Sequence, residues 1–213
     1  MNGLLEKDFR LISKRITYFV MLAGIIIFLG FSAEASFIAA YVPILAAICS
    51  ITTISYDEFD NGMAYLFTLP VKARDYAIEK YIFGLILGLV GSAFSILIVL
   101  IIGKIKNEAV DIETMLLILP VFLTMMGIMF PIELKFGAEK SRIAMYIVFG
   151  SVVGLGILGK KIIETMNIDL TPILTKINSM PDALVAASIV LINVIIFVVS
   201  LFISIKIMEK KEY

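Results

Sequence analysis

Residues 81–102 read YIFGLILGLVGSAFSILIVLII and contain no Asp, Glu, Lys or Arg. A helix needs about 20 mainly apolar residues to cross the roughly 30 Å hydrocarbon layer of a membrane, so this stretch is long enough. Five further charge-free stretches share its character: residues 16–31, 37–55, 115–132, 143–158 and 183–205. The pattern predicts six membrane-spanning helices, of which the first and fifth need snorkelling flanking side chains to reach the headgroups.

The composition points to the same class of protein. Of the 213 residues, 61% are hydrophobic and 17% are charged, whereas a soluble domain is about half apolar and about a quarter charged. Barrel strands would alternate polar and apolar residues, and the six stretches do not, so helices are the spanning element. We therefore expect an all-α integral membrane protein with a single transmembrane domain over residues 1–213.

The basic residues predict the orientation of the chain. Lys and Arg that flank membrane helices are retained on the cytoplasmic side. If the N-terminus is cytoplasmic, most of the 18 basic residues also lie inside. Those outside are then Lys104, Lys106, Lys160, Lys161 and Lys176. This orientation makes residues 57–80 a cytoplasmic loop, residues 133–142 a compact cytoplasmic loop, residues 159–182 an extracellular segment and residues 206–213 a cytoplasmic tail.

Residues 1–15 have the pattern of an amphipathic helix. Leu5, Phe9 and Ile12 recur at spacings of four and three residues, whereas Arg10 points to another side. This pattern is typical of a helix that lies at the membrane interface. Such a helix is either a membrane anchor or a surface shared by lipid and a cytoplasmic partner, and the spacing leaves both open.

A signal peptide is the alternative for the first span. Ala33, Glu34 and Ala35 match the A-x-A pattern of a cleavage site. Glu6 and Asp8 are unusual in the basic region that precedes such a signal. We therefore expect residues 16–31 to be an uncleaved membrane helix.

The loop of residues 57–80 contains a second amphipathic pattern. Asp60 is a good N-cap, and Leu69 precedes Pro70, where a helix would stop. Apolar residues recur between them at i, i+3 and i+4: Met63, Leu66 and Phe67. Lipid headgroups, the protein's own helices or another protein could cover this apolar face, and we favour a partner protein.

Small residues and prolines mark positions inside the spans. Gly84 and Gly88 form a small-xxx-small face, which lets helix backbones approach closely in lipid. Packing within the subunit and a dimer interface are both open for this face. Pro120 and Pro131 predict a kink or an early end in the span 115–132.

Several kinds of chemistry are excluded. The sequence has no His and one Cys, Cys49, which excludes zinc sites of the usual ligands and His-based triads. A net charge of zero gives no reason to expect nucleic acid as a partner. Residues 154–160 nearly complete a P-loop, but Lys161 stands where Ser or Thr is required. The chain therefore has no ATPase motif, and we expect neither catalytic residues nor a bound metal.

The segment YDEFDNGMAYLFTLPVKARDYAIEKYIFG, residues 56–84, resembles the short permeases of the ATP-binding cassette type 2 (ABC-2) family, the membrane subunits of bacterial ABC exporters. In that family an acidic, partly aromatic stretch leads to Leu-Pro with basic residues, and a Tyr and a Lys then open the third helix. The matching residues here are Asp57, Glu58, Asp60, Leu69, Pro70, Lys72, Arg74, Tyr76 and Lys80. The resemblance in layout extends over essentially the whole chain.

The resemblance implies a type V exporter-like fold and a role for the loop. The helix between the second and third spans looks like the coupling helix, which seats in a groove of a separate ATPase subunit. Residues implied at that interface are Asp60, Met63, Leu66, Phe67, Leu69, Pro70 and Arg74. ATP and Mg²⁺ would be bound by the partner subunit, and no cofactor by this chain. The family works as a dimer of membrane subunits, here a homodimer or a heterodimer.

The resemblance also implies a place and a task. The chain would lie in the bacterial cell membrane with both termini in the cytoplasm, and would move an amphipathic peptide, antibiotic or lipid-like molecule. Export and extraction from the outer leaflet both remain open. One rival hypothesis is a stand-alone immunity or regulatory protein that transports nothing. An ion-coupled secondary transporter is less favoured, because the spans contain no charges and show no inverted repeat.

Overall fold

The computed structural model describes residues 2–14, 24, 28, 35–59, 62–106, 112–165, 175 and 179–211. Every regular element in this part of the chain is a helix. In chain order they are α1 (Asn2–Ser13), α2 (Ala35–Glu58), α3 (Gly62–Leu66), α4 (Ala73–Lys106), α5 (Ile112–Thr165) and α6 (Asp182–Lys210). Most of the predicted first span 16–31, the N-cap Asp60 and much of the segment 159–182 lie outside the described residues.

Gly137 divides α5 into two helices, α5a (112–136) and α5b (138–165). Its backbone angles are φ 76° and ψ 173°, a region that essentially only glycine occupies. The sequence predicted a compact loop over residues 133–142, and the structure replaces it with this one-residue break. The break also lies beyond Pro120 and Pro131, where a kink was expected. Both prolines are inside the helix.

Four helices contain the remaining predicted spans. Residues 37–55 lie in α2, 81–102 in α4 and 183–205 in α6, while α5a and α5b contain 115–132 and 143–158. Within the described residues, two helices are long and apolar enough to cross a membrane by themselves, Ala73–Lys106 and Leu184–Lys210. Of the most apolar 18-residue stretch of each helix, only 17% is buried inside the protein. A core helix of a soluble protein would be mostly buried, so this apolar surface requires a membrane or a partner.

The helix bundle is held together around α5. Its most extensive contacts are with α6 and α2, and α2 also packs along α4. Tyr81 of α4 joins three helices, since its ring meets the edges of Phe130 and Phe197 at centroid distances of 4.9 and 5.1 Å. Its hydroxyl lies 2.6 Å from the Ser200 hydroxyl and 2.8 Å from that of Ser204.

Gly84 and Gly88 pack within the subunit. A Cβ atom at Gly88 would lie 2.0 Å from the ring of Phe122, and one at Gly84 would lie 2.1 Å from Cε of Met126. Both contacts are with α5a. Of the two alternatives for this small-residue face, the structure therefore shows the intramolecular one.

Candidate functional site

The loop between α2 and α4 folds into a short helix with one extra turn. The helix α3 itself is Gly62–Leu66. Backbone hydrogen bonds continue the turn, because the N–H of Phe67 donates to Met63 O (3.1 Å) and the N–H of Leu69 donates to Leu66 O (3.2 Å). Pro70 follows, and it has no N–H with which to extend the series. This turn therefore ends at Leu69, and the next helix, α4, begins at Ala73.

The orientation of this loop helix differs from the expectation. Met63 is 5% exposed and Leu66 is 9% exposed, and both belong to the subunit's own hydrophobic core. Phe67 packs against the ring of Tyr76, with a centroid distance of 6.1 Å. The family resemblance implied that these three side chains fill the groove of a partner. Their i, i+3, i+4 spacing identifies the apolar side of the helix, but it does not say what covers that side.

Other apolar side chains of the loop remain open to a partner. Phe59 and Tyr65 are each 72% exposed, and Leu69 is 47% exposed. Pro70 and Arg74, which the sequence also placed at the interface, are exposed as well. We call Phe59, Tyr65 and Leu69 the outer face of the loop.

A buried ion-pair cluster lies at the base of the loop. Lys80 of α4 is fully buried, and its ammonium group contacts Asp8 of α1 and, at 2.8 Å, Asp57 at the end of α2. It also donates a hydrogen bond to Oγ1 of Thr53 at 3.2 Å. An ammonium group is costly to bury unless it is paired, so these partners hold Lys80 in place. The cluster joins α1, α2 and α4.

Asp57 has further partners in the same cluster. Lys7 of α1 pairs with its Oδ1, and the Tyr76 hydroxyl donates to its Oδ2 at 3.0 Å. Burial alone would raise the pKa of the Asp57 carboxyl. The ammonium groups of Lys80 and Lys7 outweigh this effect and hold the pKa below its usual value. Asp57 is therefore a carboxylate that binds two lysines and a tyrosine.

Glu58, the next residue, faces a different set of partners. Its Oε2 accepts a hydrogen bond from the backbone N–H of Ala138 at 2.8 Å, and so caps the first turn of α5b. Its Oε1 lies 3.1 Å from Nζ of Lys211, which also donates to Leu134 O at 3.1 Å. Asp57 and Glu58 together connect the start of the loop to α1, α4, α5 and the C-terminal end of α6.

The N-terminal helix packs on the bundle beside the apolar face that the sequence predicted for the membrane interface. Leu4 and Asp8 are its buried residues, whereas Leu5 and Ile12 are half-buried. Phe9 is half-exposed and meets the ring of Phe83 edge-on at 5.1 Å. Arg10 is exposed and pairs with Glu6 on the same helix.

Sequence reasoning missed Lys7, Asp8 and Lys211 as members of these networks. The resemblance singled out Asp57, Glu58, Tyr76 and Lys80, but it did not show what they bind. The one sequence feature that pointed to these networks was an acidic residue, Asp8, beside the apolar face of α1. Within the described residues no group of His, Cys, Asp and Glu is arranged to hold a metal ion.

Comparisons with known proteins give one match. A family model described as "ABC-2 family transporter protein" matches residues 3–209. No curated protein and no solved structure matches the chain.

Proposed function

Because the chain belongs to the ABC-2 transporter family, as a membrane subunit and not the ATPase, we propose that it is a permease driven by a separate ATP-binding cassette subunit. In this proposal it exports an amphipathic peptide, antibiotic or lipid-like molecule. One observation carries the link to an ATPase. The outer face of the loop presents Phe59, Tyr65 and Leu69 to solvent, while the opposite side of the same loop is anchored in the helix bundle.

Because the loop is anchored in the helix bundle, a displacement of the loop would be transmitted to the helices. Met63 and Leu66 lie in the core beside α4, and Asp57 pairs with Lys7 and Lys80. A displacement of the loop therefore has to move α1, α2 and α4, or break buried ion pairs. Breaking one such pair leaves an uncompensated charge, which costs about 3–5 kcal/mol. The loop is in this way a coupling element, and its short helix corresponds to the coupling helix of our proposal.

The relative positions of the chain segments support the proposed topology. Lys7 near the N-terminus contacts Asp57, and Lys211 near the C-terminus contacts Glu58, which also caps α5b at the Gly137 break. Both ends of the described chain, the loop and the break therefore lie at one end of the bundle. A chain that crosses the membrane an even number of times has both of its ends on the same side. We propose six spans, with this end in the cytoplasm of a bacterial cell.

The partners follow from the same proposal. The ATPase binds ATP and Mg²⁺ and seats on the outer face of the loop, with Pro70 and Arg74 at its edge. A second membrane subunit, identical or homologous, completes the permease. The second subunit and the lipid acyl chains would both contact the exposed apolar surfaces of α4 and α6.

Co-purification tests the proposal. The tagged subunit is purified from its native host in mild detergent, and the proteins recovered with it are identified by mass spectrometry. We expect the ATPase to be recovered with the wild-type chain and with Tyr65→Phe, and to be lost with Tyr65→Asp or Leu69→Asp. The matched control is Phe9→Asp, since Phe9 is 44% exposed, close to the 47% of Leu69, and lies on α1 outside the loop.

Two results would contradict the proposal. Recovery of the ATPase with both acidic loop variants would show that the outer face is not the docking surface. Absence of any ATPase with the wild-type chain would favour a stand-alone immunity or regulatory protein instead.

A further inference from the structure

A cavity of about 210 Å³ lies between α2, α5a and α5b. Its apolar lining comes mainly from Ile48 and Ile51 of α2, Met129 of α5a and Met145 of α5b. One acid, Glu133 of α5a, also lines it. A neighbouring cavity of about 310 Å³ shares Ser55 and Ala138 with the first, so the two adjoin at the end of the bundle that carries the loop.

Glu133 is an unusual group in this place. It is 2% exposed, and within the described residues its one partner is Ser55, whose hydroxyl donates to Oε1 at 2.6 Å. The described part of the chain offers no Lys or Arg nitrogen within ion-pair distance of Glu133, in contrast to Asp8 and Asp57. Buried carboxylates are usually paired, because an unpaired buried charge is costly.

Two structural roles do not account for this carboxyl group. The N-terminus of α5b already has a cap, since Glu58 accepts the hydrogen bond from Ala138. Arg142 also lines the cavity, but its side chain is exposed and lies beyond ion-pair distance of Glu133. The carboxyl group of Glu133 can therefore accept a hydrogen bond from a molecule that is not part of the subunit.

The shape and lining of the cavity restrict that group. The volume is below the roughly 300–1,000 Å³ of a site that encloses a drug-sized ligand, so only part of an amphipathic molecule fits inside. The apolar lining favours a hydrocarbon segment. Glu133 is buried in the cavity whereas the Arg142 side chain is exposed, so the buried charge is an acid and favours a cation with N–H donors. A primary ammonium group on an alkyl chain satisfies both.

We propose that this cavity binds the ammonium end of an amphipathic amine, with Glu133 as the residue that contacts the charge. The proposal deepens the proposed function, because it assigns a cationic amphipath as the substrate class of the permease. Binding itself needs no ATPase and no transport. It can therefore be tested on the membrane subunit alone.

The experiment measures binding to the purified subunit in lipid nanodiscs by isothermal titration calorimetry. The probes are dodecylamine, neutral dodecanol and anionic dodecanoate. We expect saturable binding of dodecylamine that Glu133→Gln weakens by about tenfold or more, as expected for the loss of a charge-assisted hydrogen bond. Binding of dodecanol should not change. Glu133→Asp, which keeps the charge, should give an intermediate affinity.

The matched control is Glu139→Gln. Glu139 is exposed and lines the larger cavity only, so this change should leave dodecylamine binding intact. Equal affinity of the wild type and Glu133→Gln would overturn the proposal, as would preferential binding of dodecanoate. A negative result would leave the docking of the ATPase untouched, and a failed co-purification would leave this site untouched.

Discussion

The carboxylate of Glu58 accepts a hydrogen bond from the backbone N–H of Ala138, with 2.8 Å between Oε2 and the nitrogen. The two residues are far apart in sequence, yet the contact joins the last residue of α2 to the first residue of α5b. The second carboxylate oxygen binds Lys211. One side chain thus fixes the start of the loop, the Gly137 break and the C-terminal end of α6.

The Glu58 contacts predict a graded series of variants. Glu58→Ala removes both the cap and the ion pair, and should lower the free energy of unfolding by about 0.5–2 kcal/mol, the usual cost of losing a cap. Glu58→Gln keeps an acceptor for Ala138 and should cost less. Lys211→Met should cost more than Glu58→Gln, because it removes the ion pair and also the hydrogen bond to Leu134 O. Reversible unfolding in mixed detergent measures all three, and equal effects of Ala and Gln would contradict the capping role.

Gly137→Ala tests the backbone at the break. Its φ of 76° is strained for a residue with a side chain, and the added Cβ would lie 2.6 Å from Oε2 of Glu58. We expect a loss of about 1–3 kcal/mol in the free energy of unfolding. Gly156→Ala is the control, since nothing lies within 4 Å of its Cβ position and Ala favours a helix. An unchanged Gly137→Ala protein would show that the break can relax.

The crossing of α4 and α5a predicts different responses at two glycines. Gly88→Ala places a methyl group against the rigid ring of Phe122 and should destabilise the protein by about 1–3 kcal/mol. Gly84→Ala meets the flexible end of Met126 and should cost less. Gly150→Ala, at an open position, should cost nothing. Thermal unfolding in detergent compares the three, and the reverse order at Gly84 and Gly88 would argue against this packing.

The pKa of Asp57 predicts a dependence of stability on pH. The folded-state pKa lies below the ordinary value of 3.8. The unfolded chain therefore binds the proton first as the pH falls, and the contribution of Asp57 is present above pH 3.8 and lost below it. Unfolding temperatures of the wild type should exceed those of Asp57→Asn near neutral pH and approach them in acid. Asp75→Asn, outside the cluster, is the control. A constant difference between wild type and Asp57→Asn at every pH would disprove the assignment.

The sequence predicted the helices better than their contacts. Charge-free stretches such as residues 81–102 mark helices, because a spanning segment has to be apolar and internally bonded. The same reasoning placed a loop at residues 133–142, because it could not foresee that a single glycine with positive φ separates two otherwise continuous helices. The local pattern of a sequence shows which residues are apolar or charged. The break at Gly137 also involves the capping side chain of Glu58, which belongs to another helix, and local pattern does not reveal such a contact.

The candidate site shows the same limit. The spacing of Met63 and Leu66 revealed an apolar helix face, but only the fold shows that the subunit's own hydrophobic core covers that face. Asp57 and Lys80 were singled out through the family resemblance. Their link to Asp8 was beyond prediction, because Lys80 and Asp8 are 72 residues apart and the local pattern of α1 does not identify a partner for Asp8. The docking role of the outer face of the loop stays a prediction.

The sparse burial of α4 and α6 has a consequence for any experiment on this protein. Along these two helices the protein supplies only part of its own packing, and acyl chains have to supply the rest. A short-chain detergent and a long-chain phospholipid are therefore different solvents for the same fold. A measured unfolding temperature belongs to the protein together with the amphiphile that surrounds it.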